Sequence, residues 1–270
     1  KQIDLVRYVD EVEGEAINDY LNDILIQMCK TVDTGLNTAG ILPGRLKMER
    51  IARSLLSEAI TCEGSEKEKL LLSAYAYAAS EENAAGGMTV TAPTLGSSGL
   101  LPALLYYYYY DCKMQREQLV NGLKIAGLIG NLIKQNATIS GAQGGCQAEI
   151  GSASAMAAGA LVSLRGGGER QISHAAAMAL KNLLGLVCDP VGGLVEVPCV
   201  KRNVIGAVNA LSAADMSLAG IESRISPDQV IDAMREVGEQ MHPSLKETGE
   251  GGLAATPDAK NAFIFVEGLV

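Results

Sequence analysis

Residues 140–164 constrain the fold more than any other part of the chain. The first half, residues 140–152, contains four glycines, a cysteine and several polar side chains, whereas residues 153–164 are rich in alanine. A glycine in a helix interior costs about 1 kcal/mol relative to alanine, so a dense glycine run indicates close backbone approach or positive φ. The alanine-rich half predicts a buried helix in the core.

Apolar residues recur at helical spacing through most of the remaining chain, and no segment predicts a credible strand. The predicted helices cover residues 1–40, 46–61, 70–80, 116–135, 153–164, 169–184 and 201–222, with further helices starting at residues 100 and 226. Ser65 with Glu68, and Ser226 with Gln229, match the capping-box pattern. In the helix from residue 100, the tyrosine run 106–110 goes right round the helix, which predicts that some rings are buried and others exposed.

These patterns predict an all-α fold. We expect a single multi-helix domain over residues 1–270, with buried Ala- and Gly-rich central helices and glycine-rich loops that form the site. The apolar fraction of 48% provides ample material for such a core.

Charge and hydropathy argue against two classes of partner. The net charge is −9, whereas nucleic acids and anionic membranes are bound by clustered Lys and Arg. No uninterrupted run of 18 apolar residues predicts a transmembrane helix. The first residues are polar and then acidic, without a secretory signal pattern, which leads us to expect a cytoplasmic protein.

Three of the six cysteines lie in loops broken by glycine or proline: Cys146, Cys188 and Cys199. The other three lie in helical or helix-end segments, at Cys29, Cys62 and Cys112. Three thiolates in polar surroundings suit zinc or an iron–sulfur cluster. No Cys-x-x-Cys occurs, however, so spacing alone leaves open that all three are buried thiols.

Other catalytic classes find little support. The chain has only two histidines, His174 and His242, and no Gly-x-Ser-x-Gly, P-loop or dinucleotide-binding glycine pattern. A Ser-His-Asp hydrolase and a histidine-based catalytic metal site are therefore excluded. A pyridoxal phosphate enzyme would need a Schiff-base lysine on an α/β scaffold, which the helical pattern does not predict.

Several segments together carry a resemblance to a known family. They are Ser-Glu-Glu-Asn-Ala-Ala-Gly-Gly at 80–87, Thr-Ala-Pro-Thr at 91–94, Ser-Gly-Ala-Gln-Gly-Gly-Cys-Gln-Ala-Glu-Ile-Gly-Ser-Ala-Ser at 140–154, and the motifs at 181–190, 193–203, 213–216 and 247–254. In this order they resemble the catalytic (alpha) chain of bacterial iron–sulfur-dependent L-serine dehydratase. The resemblance covers about residues 34–257.

The resemblance implies a specific chemistry. Members of this family deaminate L-serine to pyruvate and ammonia at a [4Fe–4S] cluster, in an all-helical catalytic domain. Cys146, Cys188 and Cys199 match the cysteines that hold three irons, with the fourth iron left for substrate. A regulatory ACT-like domain or separate β chain accompanies the catalytic domain. The resemblance therefore implies a partner chain and a hetero-oligomer.

Two positions depart from the family pattern. Leu95 stands where many members carry a small or amide residue, which puts a substrate contact from this side chain in doubt. Some single-chain members end in a cysteine that reaches the cluster, whereas residues 265–270 contain none. Under the resemblance, the fourth iron is then open to substrate or water.

The resemblance also suggests residues around the cluster. Candidates for binding the substrate carboxylate are the hydroxyls of Thr94, Ser97, Ser98 and Ser140 and the backbone of Gly144 and Gly145, with Lys201 and Arg202 as charge partners. Candidates for the base that removes the Cα proton are Glu149, Lys201 and His242, and a partner-chain residue is an equal alternative. Two other functions stay open: a cluster-dependent L-cysteine desulfidase, and a non-catalytic subunit that binds a partner chain.

Overall fold

The computed structural model of the chain describes residues 4–262. Within this range the backbone forms α-helices joined by loops and short 3-10 turns, and its only β-type pairings are two isolated bridges. The helices are α1 (Leu5–Glu13), α2 (Ala16–Asn37), α3 (Ala52–Thr61), α4 (Gly64–Ala84), α5 (Leu100–Tyr110), α6 (Arg116–Asn136), α7 (Gly141–Gly144), α8 (Ser152–Leu164), α9 (Glu169–Lys181), α10 (Cys199–Leu218), α11 (Pro227–Gln240) and α12 (Pro257–Asn261). The predicted all-α class is confirmed.

Helix α8 lies at the centre of the core, where α5, α6, α9 and α10 pack around it. Its residues from Ser152 to Val162 are all buried. At Gly159 a β-carbon would overlap the end of the Ile129 side chain of α6, so the glycine lets this side chain pack closely against α8. Asn209 of α10 donates a hydrogen bond of 2.8 Å to the Ser154 hydroxyl of α8. The predicted buried, alanine-rich central helix is therefore confirmed.

Helix α3 begins later than the predicted start at residue 46. Residues 41–49 instead turn back on themselves, and the Leu42 amide donates to the Met48 carbonyl at 2.8 Å. The Glu81 carboxylate of α4 accepts hydrogen bonds from the amides of Ile51 and Ala52, which stabilises the helix start there. This partner is distant in sequence, so local periodicity could not indicate it.

Two other local predictions differ from the structure. The capping box at Ser65 was wrong, because α4 starts at Gly64 and its N-cap position, Glu63, makes no side-chain cap. The helix predicted for residues 1–40 is interrupted at Gly14, which has φ +80°. By contrast, Ser226 caps α11 by accepting from the Gln229 amide, as predicted. The cysteine-free end at residues 265–270 lies outside the described residues.

The tyrosine run of α5 divides between core and surface. Tyr106 and Tyr108 are buried, whereas Tyr110 is 40% exposed, so the predicted split is confirmed. The Tyr106 hydroxyl donates to the Asp33 carboxylate of α2 at 2.6 Å. Among residues 4–262, no helix has the length and hydropathy needed to cross a lipid bilayer.

Gly35→Ala is expected to lower the free energy of unfolding by about 1–3 kcal/mol, a typical cost of overpacking a core. Gly35 lies on α2 where a β-carbon would overlap the backbone of Ala78 on α4. The matched control is Gly127→Ala at an exposed position of α6, where nothing lies within 4 Å of the new methyl group. That change should raise stability by about 0.5–1 kcal/mol. Urea unfolding followed by far-UV circular dichroism measures both, and equal stability of the two variants would contradict the packing.

Candidate metal centre

The three loop cysteines line one cavity of about 500 Å³, formed where the loops before α5, α8 and α10 meet. Cys146, Cys188 and Cys199 are each at most 7% exposed. The wall also includes the loop 91–96 and two acidic side chains, Glu149 and Glu247. The segment around Cys146 and the distant segment that contains Cys188 and Cys199 therefore bring three cysteines to the same enclosure.

Cys146 is held by an unusual turn that leads into α8. After Cys146, residues Gln147–Gly151 form a single π-helical turn, a wide turn that occurs frequently at functional sites. The Gln147 side-chain amide donates to the Met234 carbonyl and its oxygen accepts from the Gly185 amide, both at 2.9 Å. These bonds fix the Cys146 turn against α11 and against the segment that follows α9.

Cys188 is held by the glycine-rich segment that follows α11. Its amide donates to the Leu245 carbonyl, and its carbonyl accepts from the Glu247 amide, both at 2.8 Å. Glu247 has φ +66°, an uncommon conformation for a residue with a side chain. This turn lets Glu247 bind the Cys188 backbone while also lining the cavity.

Cys199 is the first residue of α10, and Asn203 fixes it one turn later. The Asn203 amide group donates to the carbonyls of Cys199 at 3.0 Å and Gly96 at 2.8 Å. Its oxygen accepts from the Gly99 amide at 3.0 Å. A single buried amide therefore joins the Cys199 turn to the loop before α5, which forms the opposite wall of the cavity.

Glu149 lies between two of the cysteines. Its Oε2 is 3.9 Å from the Sγ atoms of both Cys146 and Cys188, and one ligand atom from each of the three residues lies within 4.8 Å of the others. Thr94 Oγ1 donates to Glu149 Oε1 at 2.5 Å. At Gly141 a β-carbon would overlap this carboxylate and lie 3.2 Å from Cys188 Sγ, so the glycine makes room for the cluster of side chains. Cys199 lines the same cavity outside this closest group.

The surroundings favour the neutral forms of these groups. Burial raises the pKa of the Glu149 carboxyl; the hydrogen bond from Thr94 opposes the rise and the charge of Glu247 adds to it. The pKa of Cys188 lies far above its usual range because of its hydrogen bond to Cys146, its burial and the neighbouring carboxylates. Burial also raises the pKa of Cys199 to about 12. Several buried anions can coexist here only with a compensating cation, so the donor set fits a positively charged, sulfur-preferring metal centre.

Comparisons with known proteins match this chain to a family. The family profile described as Serine dehydratase alpha chain matches residues 5–254, nearly the whole chain. The chain belongs to the serine dehydratase alpha-chain family.

Named relatives extend this match. A Bacillus subtilis (strain 168) protein named probable L-serine dehydratase, alpha chain, is 56% identical over 185 residues, which are 68% of this chain and 62% of the relative. A Latilactobacillus sakei protein of the same name is 54% identical over 67% of this chain and 87% of its own length. The L-serine dehydratase of Streptomyces coelicolor is 45% identical over 90% of this chain and 54% of its own. The chain thus spans about half the length of the latter relative.

The predicted site residues of this alpha-chain family member fall into two groups. The cavity wall contains Cys146, Cys188, Cys199, Thr94 and Glu149. The remaining candidates, none of which is among the cavity-lining residues, are Ser97, Ser98, Ser140, Gly144, Gly145, Lys201, Arg202 and His242. Three predicted cysteines, one hydroxyl and one carboxylate therefore line the same cavity, whereas most of the hydroxyl and backbone candidates lie elsewhere.

The candidates outside the cavity have other contacts. The hydroxyls of Ser97 and Ser98 donate to the carbonyls of Ala92 and Leu95, at 3.0 and 2.7 Å respectively. These bonds stabilise the loop that contains both serines. Ser140 is the residue before α7, and its amide donates to Thr138 Oγ1 at 3.1 Å.

The other five candidates are also accounted for. A β-carbon at Gly144 would press on Thr138 and Ala148, and one at Gly145 on Met241 and Leu186, so close packing explains both glycines. Lys201 and His242 are exposed, and the His242 ring bonds Ser244 Oγ at 2.8 Å. The Arg202 guanidinium pairs with Asp189.

Sequence reasoning missed Glu247, Gly141 and Asn203 as parts of the site. Glu247 and Gly141 belong to segments that carry the family resemblance, but nothing in their residue types distinguishes them from solvent-exposed neighbours. Their roles depend on a positive φ, on a close approach and on backbone bonds between distant loops. None of these features has a local sequence pattern.

Proposed function

We propose that this chain is the catalytic subunit of an iron–sulfur-dependent L-serine dehydratase, a lyase that converts L-serine to pyruvate and ammonia. The observation that carries the proposal is the convergence of three buried cysteines and a carboxylate on one cavity in a member of this family. The cavity, at about 500 Å³, has room for a cofactor and a small amino acid.

The donor set fits a [4Fe–4S] cluster held by Cys146, Cys188 and Cys199. Sulfur ligands favour iron–sulfur clusters and zinc over hard cations such as magnesium, and family membership favours the cluster. With three cysteines engaged, one iron would have no cysteine ligand. When bound, the cluster supplies a Lewis acid toward the substrate hydroxyl.

Glu149 is the residue that we assign to the Cα proton. Of the three candidates for the base, it alone lines the cavity, whereas Lys201 and His242 are exposed. Its pKa is raised by burial, which brings the carboxylate closer to the range in which it can accept a proton in one step and release it in the next. Thr94 Oγ1 orients the carboxylate through the 2.5 Å hydrogen bond.

The elimination removes water across the Cα–Cβ bond of L-serine. The Cα–H bond breaks, its proton goes to Glu149, and its electron pair forms a Cα=Cβ double bond. The Cβ–O bond breaks, and the hydroxyl departs as water with the proton that Glu149 releases, which returns Glu149 to its carboxylate form. The resulting aminoacrylate becomes an imine by proton transfer to carbon, and one water molecule hydrolyses the imine to pyruvate and ammonia.

The substrate carboxylate needs donors at the mouth of the cavity. Thr91 and the backbone near Gly96 lie on this wall, and we propose that they provide the contact, because the single hydroxyl proton of Thr94 is already donated to Glu149. The Leu95 side chain is 47% exposed at the same loop, so it contributes an apolar surface and no hydrogen bond. We therefore propose no substrate hydrogen bond from the Leu95 side chain.

We also propose that a separate regulatory β chain completes the enzyme in the cytoplasm. Two relatives that match this chain are named alpha chains, which implies partner chains for those proteins. The L-serine dehydratase from Streptomyces coelicolor has roughly twice the matched length, room enough for a second domain in the same polypeptide.

Anaerobic purification of the native complex from cells that produce it tests the proposal. We expect iron and acid-labile sulfide in equal amounts, a visible sulfide-to-iron charge-transfer band, and pyruvate formation from L-serine. Faster release of sulfide from L-cysteine than of pyruvate from L-serine would favour the desulfidase alternative. A colourless complex without either activity would overturn the proposal and support a non-catalytic subunit.

A further inference from the structure

The side chain of Arg202 is in contact with the segments that carry all three cysteines. It lies on α10, three residues after Cys199, and is only 15% exposed. Its Nη1 donates to the Val187 carbonyl at 2.8 Å and approaches Cys146 Sγ at 3.5 Å. Its Nη2 pairs with Asp189 Oδ1 at 2.8 Å. Since Val187 and Asp189 flank Cys188, one guanidinium joins the three ligand segments.

These contacts argue against the sequence-based role of Arg202 as a partner of the substrate carboxylate. The guanidinium already has an anionic partner in Asp189, whose second oxygen accepts from the Leu253 amide at 2.8 Å. Arg202 is also absent from the residues that line the cavity.

The contacts made by the side chain at position 202 favour arginine over lysine. The planar guanidinium presents several donors in fixed directions, so it can serve a carbonyl, a carboxylate and a sulfur at once. A lysine ammonium keeps the charge but has no such fork. The negative charge of Asp189 offsets the free-energy cost of burying the guanidinium. The positive charge of the guanidinium still acts on the nearby Cys146 sulfur, because the protein interior has a low dielectric constant.

We propose that Arg202 is a positioning residue that donates a hydrogen bond to the coordinating sulfur of Cys146, retains the cluster and raises its reduction potential. The inference rests on the proposed cluster. Hydrogen bonds to ligand sulfurs are one of the factors that set the potentials of iron–sulfur centres. A cationic donor stabilises the more negative, reduced state of the centre, so its removal should make reduction harder.

The test compares Arg202→Gln and Arg202→Lys with wild type in the anaerobic complex. We expect Arg202→Gln to lose iron about 10–100-fold faster during anaerobic chelation, the usual effect of removing a partner of a metal ligand. Its potential, from a redox titration followed by electron paramagnetic resonance, should be more negative. Arg202→Lys keeps the positive charge but lacks the planar guanidinium. Its reduction potential should therefore stay closer to the wild-type value than its rate of iron loss does.

Arg165→Gln provides the matched control. Arg165 pairs with Asp215 and donates to the Tyr108 hydroxyl at 2.7 Å, so it is another partly buried arginine with two acceptors, but it is not in the cavity wall. The control should keep the wild-type potential and rate of iron loss.

The outcomes separate this inference from the proposed function. If wild type holds the cluster and Arg202→Gln matches its potential and iron loss, the role of Arg202 is refuted while the proposed function stands. If wild type holds no cluster, both are refuted. If Arg202→Gln does not fold, the Arg202→Lys variant decides, and a wild-type rate of iron loss in that variant overturns the role of the fork.

Discussion

Cys146→Ser is expected to remove most of the iron that the complex retains after anaerobic reconstitution and to lower kcat/KM for L-serine by at least about 100-fold. The hydroxyl is a harder ligand than a thiolate and is not deprotonated at neutral pH. Losing even a partner of a metal ligand typically costs 10–100-fold, so losing the ligand should cost no less. Iron and sulfide assays, together with pyruvate formation, measure both effects.

Cys146 is the most informative of the three cysteines to replace. Its sulfur belongs to the closest group of potential ligands, with Cys188 and Glu149, and it also contacts Arg202. The substitution is nearly isosteric, so the π-turn that follows it should persist. Far-UV circular dichroism should therefore match wild type while the iron content falls.

The control for this substitution is Cys112→Ser. Cys112 is exposed beyond the end of α5 and is not among the residues of the cavity wall. This variant should keep wild-type iron, sulfide and activity. A Cys146→Ser enzyme with full iron content and full activity would show that the thiol of Cys146 does not hold the cofactor.

Local sequence pattern was enough to predict most of the fold. Helix α6, predicted over residues 116–135, extends over Arg116–Asn136, and the central helix predicted over 153–164 extends over Ser152–Leu164. The apolar periodicity of α6 and the alanine-rich composition of α8 both indicate burial in the core. The start of α3 was misplaced because the Glu81 carboxylate, 29 or more residues away, fixes it through the Ile51 and Ala52 amides.

The candidate site was only partly predictable for a similar reason. Glycine- and proline-broken loops singled out Cys146, Cys188 and Cys199, and the family resemblance gave them a shared role. Their convergence depends on backbone bonds between distant segments, such as those that join Cys188 to Leu245 and Glu247. The sequence made the Ser97 hydroxyl a candidate for substrate binding. In the structure this hydroxyl instead donates to the Ala92 carbonyl of its own loop.

Glycine had two meanings that the sequence could not distinguish. At Gly141 the missing side chain leaves room for the carboxylate of Glu149 and the sulfur of Cys188. At Gly145 it instead permits φ +76° and close packing against Met241. As expected for a glycine-rich segment, the backbone is closely packed at both positions. Of the two glycines, Gly141 packs against side chains of the candidate site, whereas Gly145 packs against Met241.

Glu149→Gln is expected to lower kcat by about 10²–10⁴-fold, the usual contribution of a positioned acid–base group. The amide keeps the shape of the side chain and can still accept from Thr94 Oγ1, but it cannot take the Cα proton. Iron and sulfide content should stay near the wild-type level, because Cys146, Cys188 and Cys199 are intact. Stopped-flow or discontinuous assays of pyruvate formation at saturating L-serine measure the effect.

Glu149→Gln also separates proton transfer from cluster binding, which the cysteine substitutions cannot do. Glu247→Gln is the informative comparison, because Glu247 also lines the cavity but has no contact with Thr94 Oγ1. It should retain more activity than Glu149→Gln, while Glu239→Gln on the exposed side of α11 should match wild type. If Glu149→Gln held a full cluster and kept wild-type kcat, the base would have to lie elsewhere, and a partner-chain residue would become the favoured candidate. If it lost iron together with activity, Glu149 would act mainly on the metal centre, between the sulfurs of Cys146 and Cys188.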